Sequence, residues 1–146
     1  MTDDARLDVD AAVATVIQDL GALFASVRVG WRDAAASVHP DLAPFGYQVL
    51  TNIETGKATT AGELVDRLRT DKSAVSRQLR QLESLDLVES RPDPTDRRAR
   101  ILSATPLAVE RVRAARERYE ASLGERLRHW SPEELAMFSE LLARLR

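Results

Sequence analysis

Residues 60–105 read TAGELVDRLRTDKSAVSRQLRQLESLDLVESRPDPTDRRARILSAT. Thr60-Ala-Gly-Glu63 has the spacing of a capping box, with a hydroxyl placed for the Glu63 amide and a carboxylate able to reach back. Leu64, Val65 and Leu68 then turn inward on one short helix. After the turn Arg69-Thr70-Asp71, Asp71 can cap a second helix whose buried stripe is Val75, Leu79 and Leu82, continued by Leu85. Leu87–Arg91 and Arg100–Ser103 have strand composition, and the segment between them, Pro92 to Ala99, is rich in turn residues. Two short helices followed at once by an arginine-tipped β-ribbon form the layout of a winged helix-turn-helix. That layout can set side chains in two neighbouring grooves of DNA.

The outward positions of the second helix are Lys72, Ser73, Ser76, Arg77 and Arg80, with Gln78 at the edge. Short hydroxyls permit close approach, and the long donors reach base edges or phosphates. An ordinary solvated helix carries the same residue types, so this helix alone does not decide. The ribbon does. A tip that only closes a hairpin needs Gly or Asn, not Arg97 and Arg98, and an arginine there suits the negative potential of a narrow minor groove. Asp96 is placed to hydrogen-bond a neighbouring guanidinium and fix its direction.

The flanks are helical. From Asp8 onward Val9, Val13, Val16, Ile17, Leu20, Leu23, Phe24, Val27 and Trp31 recur at three- and four-residue steps, one apolar stripe closed by Gly30 and the His39-Pro40 step. A further helix starts near Pro44 and ends at Gly56. Thr105 can cap a long charged helix from Pro106 to about Arg128, and Ser131-Pro-Glu-Glu134 is a second capping box opening the last helix. The terminal helices carry more apolar surface than a small reading head can cover, so a two-fold twin is expected to cover it. An intrachain bundle is the alternative.

At this point the residues resemble a known family. The runs Asp71-Lys-Ser-Ala-Val-Ser-Arg-Gln-Leu-Arg-Gln-Leu-Glu83 and Leu87-Val-Glu-Ser-Arg-Pro-Asp-Pro-Thr-Asp-Arg-Arg-Ala99 are similar to the core of the MarR family of transcriptional regulators. The most specific part is the wing, Asp93-Pro-x-Asp96-Arg-Arg98. The resemblance implies a homodimer on double-stranded DNA, with a recognition helix in the major groove and a wing in the adjacent minor groove. By position, Ser73, Ser76, Arg77 and Gln78 would make the helix contacts. Arg98, steadied by Asp96, would probe the minor groove, and Arg97 and Arg100 would meet phosphates. Two positions depart from the family's pattern: Asp86 stands where Gly is usual before the first strand, and Ala104-Thr105 replaces Leu-Thr. Asp tolerates a left-handed backbone better than most residues.

The fold expected is therefore mainly α with a small β-hairpin wing. It is a single domain over 1–146, with the winged helix-turn-helix at about 44–105, the wing at 91–100, and dimerisation helices at about 8–38 and 106–146. The function expected is a repressor on a near-palindromic operator. Members of the family often respond to small aromatic or anionic effectors, and Phe24, Val27, Trp31, Phe45, Tyr47 and Leu50 could line such a cavity, although aromatics at helical spacing also serve as plain core. Two alternatives stay open, an architectural DNA-binding dimer and a winged helix that binds protein.

Composition narrows the rest. The net charge is −2, but residues 1–60 hold 4 basic and 8 acidic side chains while residues 67–100 hold 9 basic and 6 acidic. The middle of the chain is its basic part. With no cysteine, disulfides, thiolate metal sites and thiol redox sensing are excluded. His39 and His129 are isolated from other ligands, so no metal is expected, and Arg113, Arg116 and Arg118 read as a solvated face with Glu110, Glu117 and Glu120. No phosphate loop, zinc-protease motif or nucleophile elbow is present, so neither an enzyme nor a cofactor is expected. No segment approaches the roughly 20 uncharged apolar residues of a membrane span, and the start at Asp3 and Asp4 is unlike a signal peptide. A cytoplasmic protein without membrane attachment is the expectation.

Overall fold

The computed structural model describes the backbone of residues 2–146 and the side chains of residues 8–146. In order the elements are α1 (Thr2–Val38), α2 (Pro44–Glu54), α3 (Ala61–Leu68), α4 (Lys72–Ser84), β1 (Val88–Pro92), β2 (Arg100–Ala104), α5 (Pro106–Leu127) and α6 (Pro132–Arg144). The mainly helical fold with one antiparallel hairpin is the one expected from the sequence.

Local chemistry sets most of the boundaries. Thr60, Asp71, Thr105 and Ser131 each accept the amide of the residue three positions on, and both capping boxes close. Arg69 and Asp86 take positive φ, +48° and +57°, and so turn the chain after α3 and before β1. The sequence marks both places as turns, but only Asp86 is a residue type that tolerates this backbone well. α1 passes through Gly30 and ends at Val38, just before the expected stop at the His39-Pro40 step. Gly30 instead allows close packing, because a Cβ there would lie 3.0 Å from Cε2 of Tyr119 on α5.

Leu50, Leu64, Leu82, Leu87, Val49, Val75 and Val112 are fully buried where α2, α3, α4, the hairpin base and α5 converge. Each leucine there contributes about 1.5–3 kcal/mol. β1 and β2 pair from Val88↔Ala104 to Pro92↔Arg100. Leu102 N–H donates to the Thr59 carbonyl at 2.8 Å, which lays the approach to α3 against the hairpin. Thr105, 3% exposed, fastens the hairpin base to α5. Its hydroxyl donates to the Asp86 carbonyl at 2.7 Å and accepts from Ala108 N–H at 3.1 Å.

The outer helices are less complete. Val9, Val13, Val16 and Ile17 of α1 are exposed, and α6 has no buried residue. Within α1, over Asp8–Val38, an 18-residue window has a mean hydropathy of 1.4, so by length and composition alone this helix could cross a membrane. This corrects the expectation that no segment comes near one: residues 11–27 carry only one charge, Asp19.

Candidate nucleic-acid interface

α3, α4 and the hairpin meet around a groove of about 570 Å³ whose lining includes Thr60, Ser76, Arg80, Arg98 and Arg100. Each wall is held by local hydrogen bonds. At the start of α3, Glu63 accepts from Thr59 N–H at 2.6 Å and Thr60 N–H at 3.2 Å. The Thr59 bonds hold its carboxyl below the ordinary glutamate value. On α4, Asp71 accepts from Ala74 N–H at 2.8 Å. Lys72, Ser73, Arg77 and Arg80 stand exposed on the face away from the core, with Ser76 half-buried beside them. Arg80 Nε donates to the Ser76 carbonyl at 3.3 Å, which lays this side chain along the helix.

Gln78 stands at the edge of that face, half-buried like Ser76. Its Oε1 is buried, has no hydrogen-bond partner among the described residues, and lies 2.7 Å from where a Cβ on Gly46 of α2 would stand. This is the edge where the sequence reading put it. It also follows Val75 by three and precedes Leu82 by four, a spacing that shares their buried face.

The wing tip is a folded loop. Asp93 Oδ1 accepts from Thr95 N–H at 2.8 Å and from the Thr95 hydroxyl at 2.7 Å, while Asp93 N–H donates to the Ala99 carbonyl at 3.0 Å. The Thr95 hydroxyl, more than its amide, holds the Asp93 carboxyl below the usual aspartate value. Asp96 was expected to steer a guanidinium; instead its Oδ1 accepts the Arg98 backbone N–H at 2.9 Å. It therefore orients Arg98 through the main chain and leaves the guanidinium unengaged. Arg97 and Arg98 are both exposed. Arg100 is less free, since Nε donates to the Ser90 hydroxyl and a terminal nitrogen donates to the Ser90 carbonyl at 2.7 Å.

The fold that carries this arrangement recurs in known proteins. A model of the MarR family matches residues 47–99. The chain is 29% identical over 118 residues to the HTH-type transcriptional regulator YxaD of Bacillus subtilis, covering 81% of this chain and 82% of that protein. Its fold is that of the MarR-family transcription regulator SP03579, with a TM-score of 0.83 at 19% identity, over 97% of this chain and 92% of the other. The chain is similar to the MarR family, most specifically over residues 47–99.

A second MarR-like fold is that of Streptococcus pneumoniae FabT, solved in complex with DNA, with a TM-score of 0.79 at 21% identity over 90% of this chain and 92% of FabT. The family and the fold are those of transcriptional regulators, which are not enzymes. Among the described residues no group of three or more His, Asp or Glu is placed to hold a metal. His39 instead serves its own turn, where Nδ1 accepts from Asp41 N–H at 3.1 Å.

In this chain the six residues considered for an effector cavity do not share one. Leu50 and Tyr47 belong to the core, with Phe45 packed against it, while Phe24 and Trp31 are exposed. Trp31 meets Tyr47 edge to face at 6.4 Å between ring centroids. Val27 alone lines the groove of about 330 Å³ between α1 and α5, together with Leu23, Asp33, Arg118, Tyr119 and Arg126.

Several residues with a part in placing the head were not singled out from the sequence. Arg116 does not sit on a solvated face but reaches Glu54 of α2 at 2.6 Å, where Glu54 is only 9% exposed. Burial pushes the nearby Tyr47 hydroxyl up, against the pull of Arg116. Arg111 donates to the Val38 carbonyl at 2.9 Å and so closes the end of α1. Glu54 and Arg116 are 62 positions apart and give no signal until α2 and α5 dock.

Proposed function

We propose that the chain acts as a homodimeric DNA-binding repressor on a near-palindromic operator, with α4 in the major groove and the wing in the adjacent minor groove. The observation that carries this reading is the pairing of one basic, hydroxyl-bearing face on α4 with an arginine tip prefolded by Asp93 and Asp96. Lys72, Ser73, Ser76, Arg77 and Arg80 would meet bases and phosphates from α4. Arg98 would enter the minor groove, Arg97 would meet the backbone, and Arg100, braced on Ser90, would offer its remaining donor to a phosphate.

Dimerisation is supported by α6 burying nothing in its own chain and by the exposed stripe of α1. A second copy covers that stripe better than lipid would, because Asp19 interrupts it and a buried carboxylate in a bilayer is costly. The chain is accordingly placed in the cytoplasm, where its operator lies. Relief by a small aromatic or anionic effector belongs to the same proposal. It is supported by the α1–α5 groove, where Arg118 and Arg126 stand beside Leu23, Val27 and Tyr119.

Enrichment of bound fragments from random DNA tests the core of the proposal. A two-fold motif should emerge and be preferred over random duplex by about a thousandfold or more. Arg77→Ala should then relax discrimination at one position by about 1–3 kcal/mol. If Arg77→Ala and Arg98→Ala both leave DNA affinity unchanged, the head binds something other than DNA. For the effector clause, an aromatic carboxylate such as benzoate should weaken binding to the enriched duplex, and no change across a panel of such acids removes that clause.

A further inference from the structure

α2 starts without a cap of its own. Ala43 at the N-cap has no side-chain acceptor, and Pro44 occupies the first helical position, where an N–H is not needed. Gly46, the third residue and itself buried, has an N–H with no acceptor among the described residues. Across the interface Gln78 of α4 carries the complementary defect, a buried oxygen without a donor. The two defects adjoin, with Oε1 lying where a side chain on Gly46 would begin. Native interiors leave few such groups unpaired, and each one costs about 1–3 kcal/mol.

We propose that these two unpaired groups close on each other, so that Gln78 caps α2 across the interface and is a positioning residue that sets the tilt of α4, not a reader of bases. The inference rests on the DNA-binding reading for its consequence but not for the cap itself. One turn further along α4, Gln81 Nε2 donates to the Asp41 carbonyl at 2.9 Å, so a second glutamine ties α4 to the approach to α2. Position 46 has to be glycine for this contact. A Cβ there would lie 2.7 Å from both Gln78 Oε1 and Leu42 Cδ1 and would push the carboxamide off the helix end. The carboxamide also suits its place electrostatically, since an acceptor at a helix N-terminus faces the positive end of the dipole.

Three substitutions in the full chain separate this role from its rivals. Gln78→Met keeps length without an acceptor, Gln78→Glu keeps the acceptor, and Ala43→Ser gives α2 a cap of its own. In the free protein Gln78→Met should speed exchange of the Gly46 amide about tenfold, the effect of one lost hydrogen bond. Gln78→Glu, or Ala43→Ser added to Gln78→Met, should restore protection. On the enriched duplex Gln78→Met should lower affinity about equally for the parent site and for its single-base-pair variants, and Ala43→Ser should restore it. Lost discrimination at one base pair with unchanged Gly46 exchange would make Gln78 a reader and overturn the proposal. Faster Gly46 exchange with unchanged DNA affinity would also overturn it, because the cap would then have no bearing on α4. Should the wild-type chain enrich no duplex, the DNA reading fails and the exchange measurement still decides the cap.

Discussion

In the head, α3, α4 and α5 are each capped by their own chain and Leu50, Leu64 and Leu82 are fully buried. In the stem, α6 buries nothing, and Val13, Val16 and Ile17 of α1 are at least half exposed. Both regions have amphipathic helices; what differs is whether the apolar face meets a partner within the chain. The head is therefore built as a self-sufficient unit, whereas the stem, in the dimer proposed above, is completed by another molecule. A polar link between the two is Arg111 of α5, which donates to the carbonyl at the end of α1.

Damage to the stem should produce the largest effect on function with the least effect on folding. Ile17→Asp places a charge on a side chain that is 65% exposed within one chain, so the melting temperature at low concentration should barely move. Affinity for a two-fold DNA site should fall by about 100-fold or more as the second head loses its tether. Light scattering should report a chain of 16.2 kDa in place of twice that mass. An unchanged mass would mean that the copies do not meet through α1.

The head should respond in the opposite sense. Thr105→Val removes a buried hydroxyl with two partners and should cost about 2–3 kcal/mol in denaturant unfolding, with the mass of the assembly unchanged. Arg116→Ala leaves the nearly buried Glu54 unpaired. As the guanidinium side is 37% exposed and screened, a loss of about 1 kcal/mol is expected, seen as a lower denaturant midpoint. A smaller gain should come from Asp86→Gly, which relieves a left-handed backbone at +57° and should raise the melting temperature by about 2–4 °C.

The smallest effect is set by pH. Glu63 and Asp93 are held below their ordinary values by hydrogen bonds to their ionised forms. Their contribution is present above the usual carboxylate range and is lost as pH falls through the depressed values, so the start of α3 and the wing tip should loosen only in acid. Carboxyl NMR titration should place both below solvent-exposed Glu and Asp, with Thr95→Val raising Asp93 alone.

The head was legible because its order is local. Caps at Thr60, Asp71 and Thr105 depend on residues three positions apart, and the left-handed turn at Asp86 depends on one side chain. What escaped notice depends on docking or register. Arg100 reaches Ser90 only because the hairpin pairs Pro92 with Arg100, and Arg116 finds Glu54 only once α5 crosses α2. Gln78 is an intermediate case. Its spacing from Val75 and Leu82 already put it on the buried face, but a polar residue on a basic helix invites an outward reading.

The count of chains on one DNA site tests the joining of head and stem most directly. Native mass spectrometry of the complex on a duplex enriched from random DNA should find two chains per duplex, with half-sites about 10 base pairs apart. A single chain per duplex at saturation, or enrichment of an undivided single site, would contradict it.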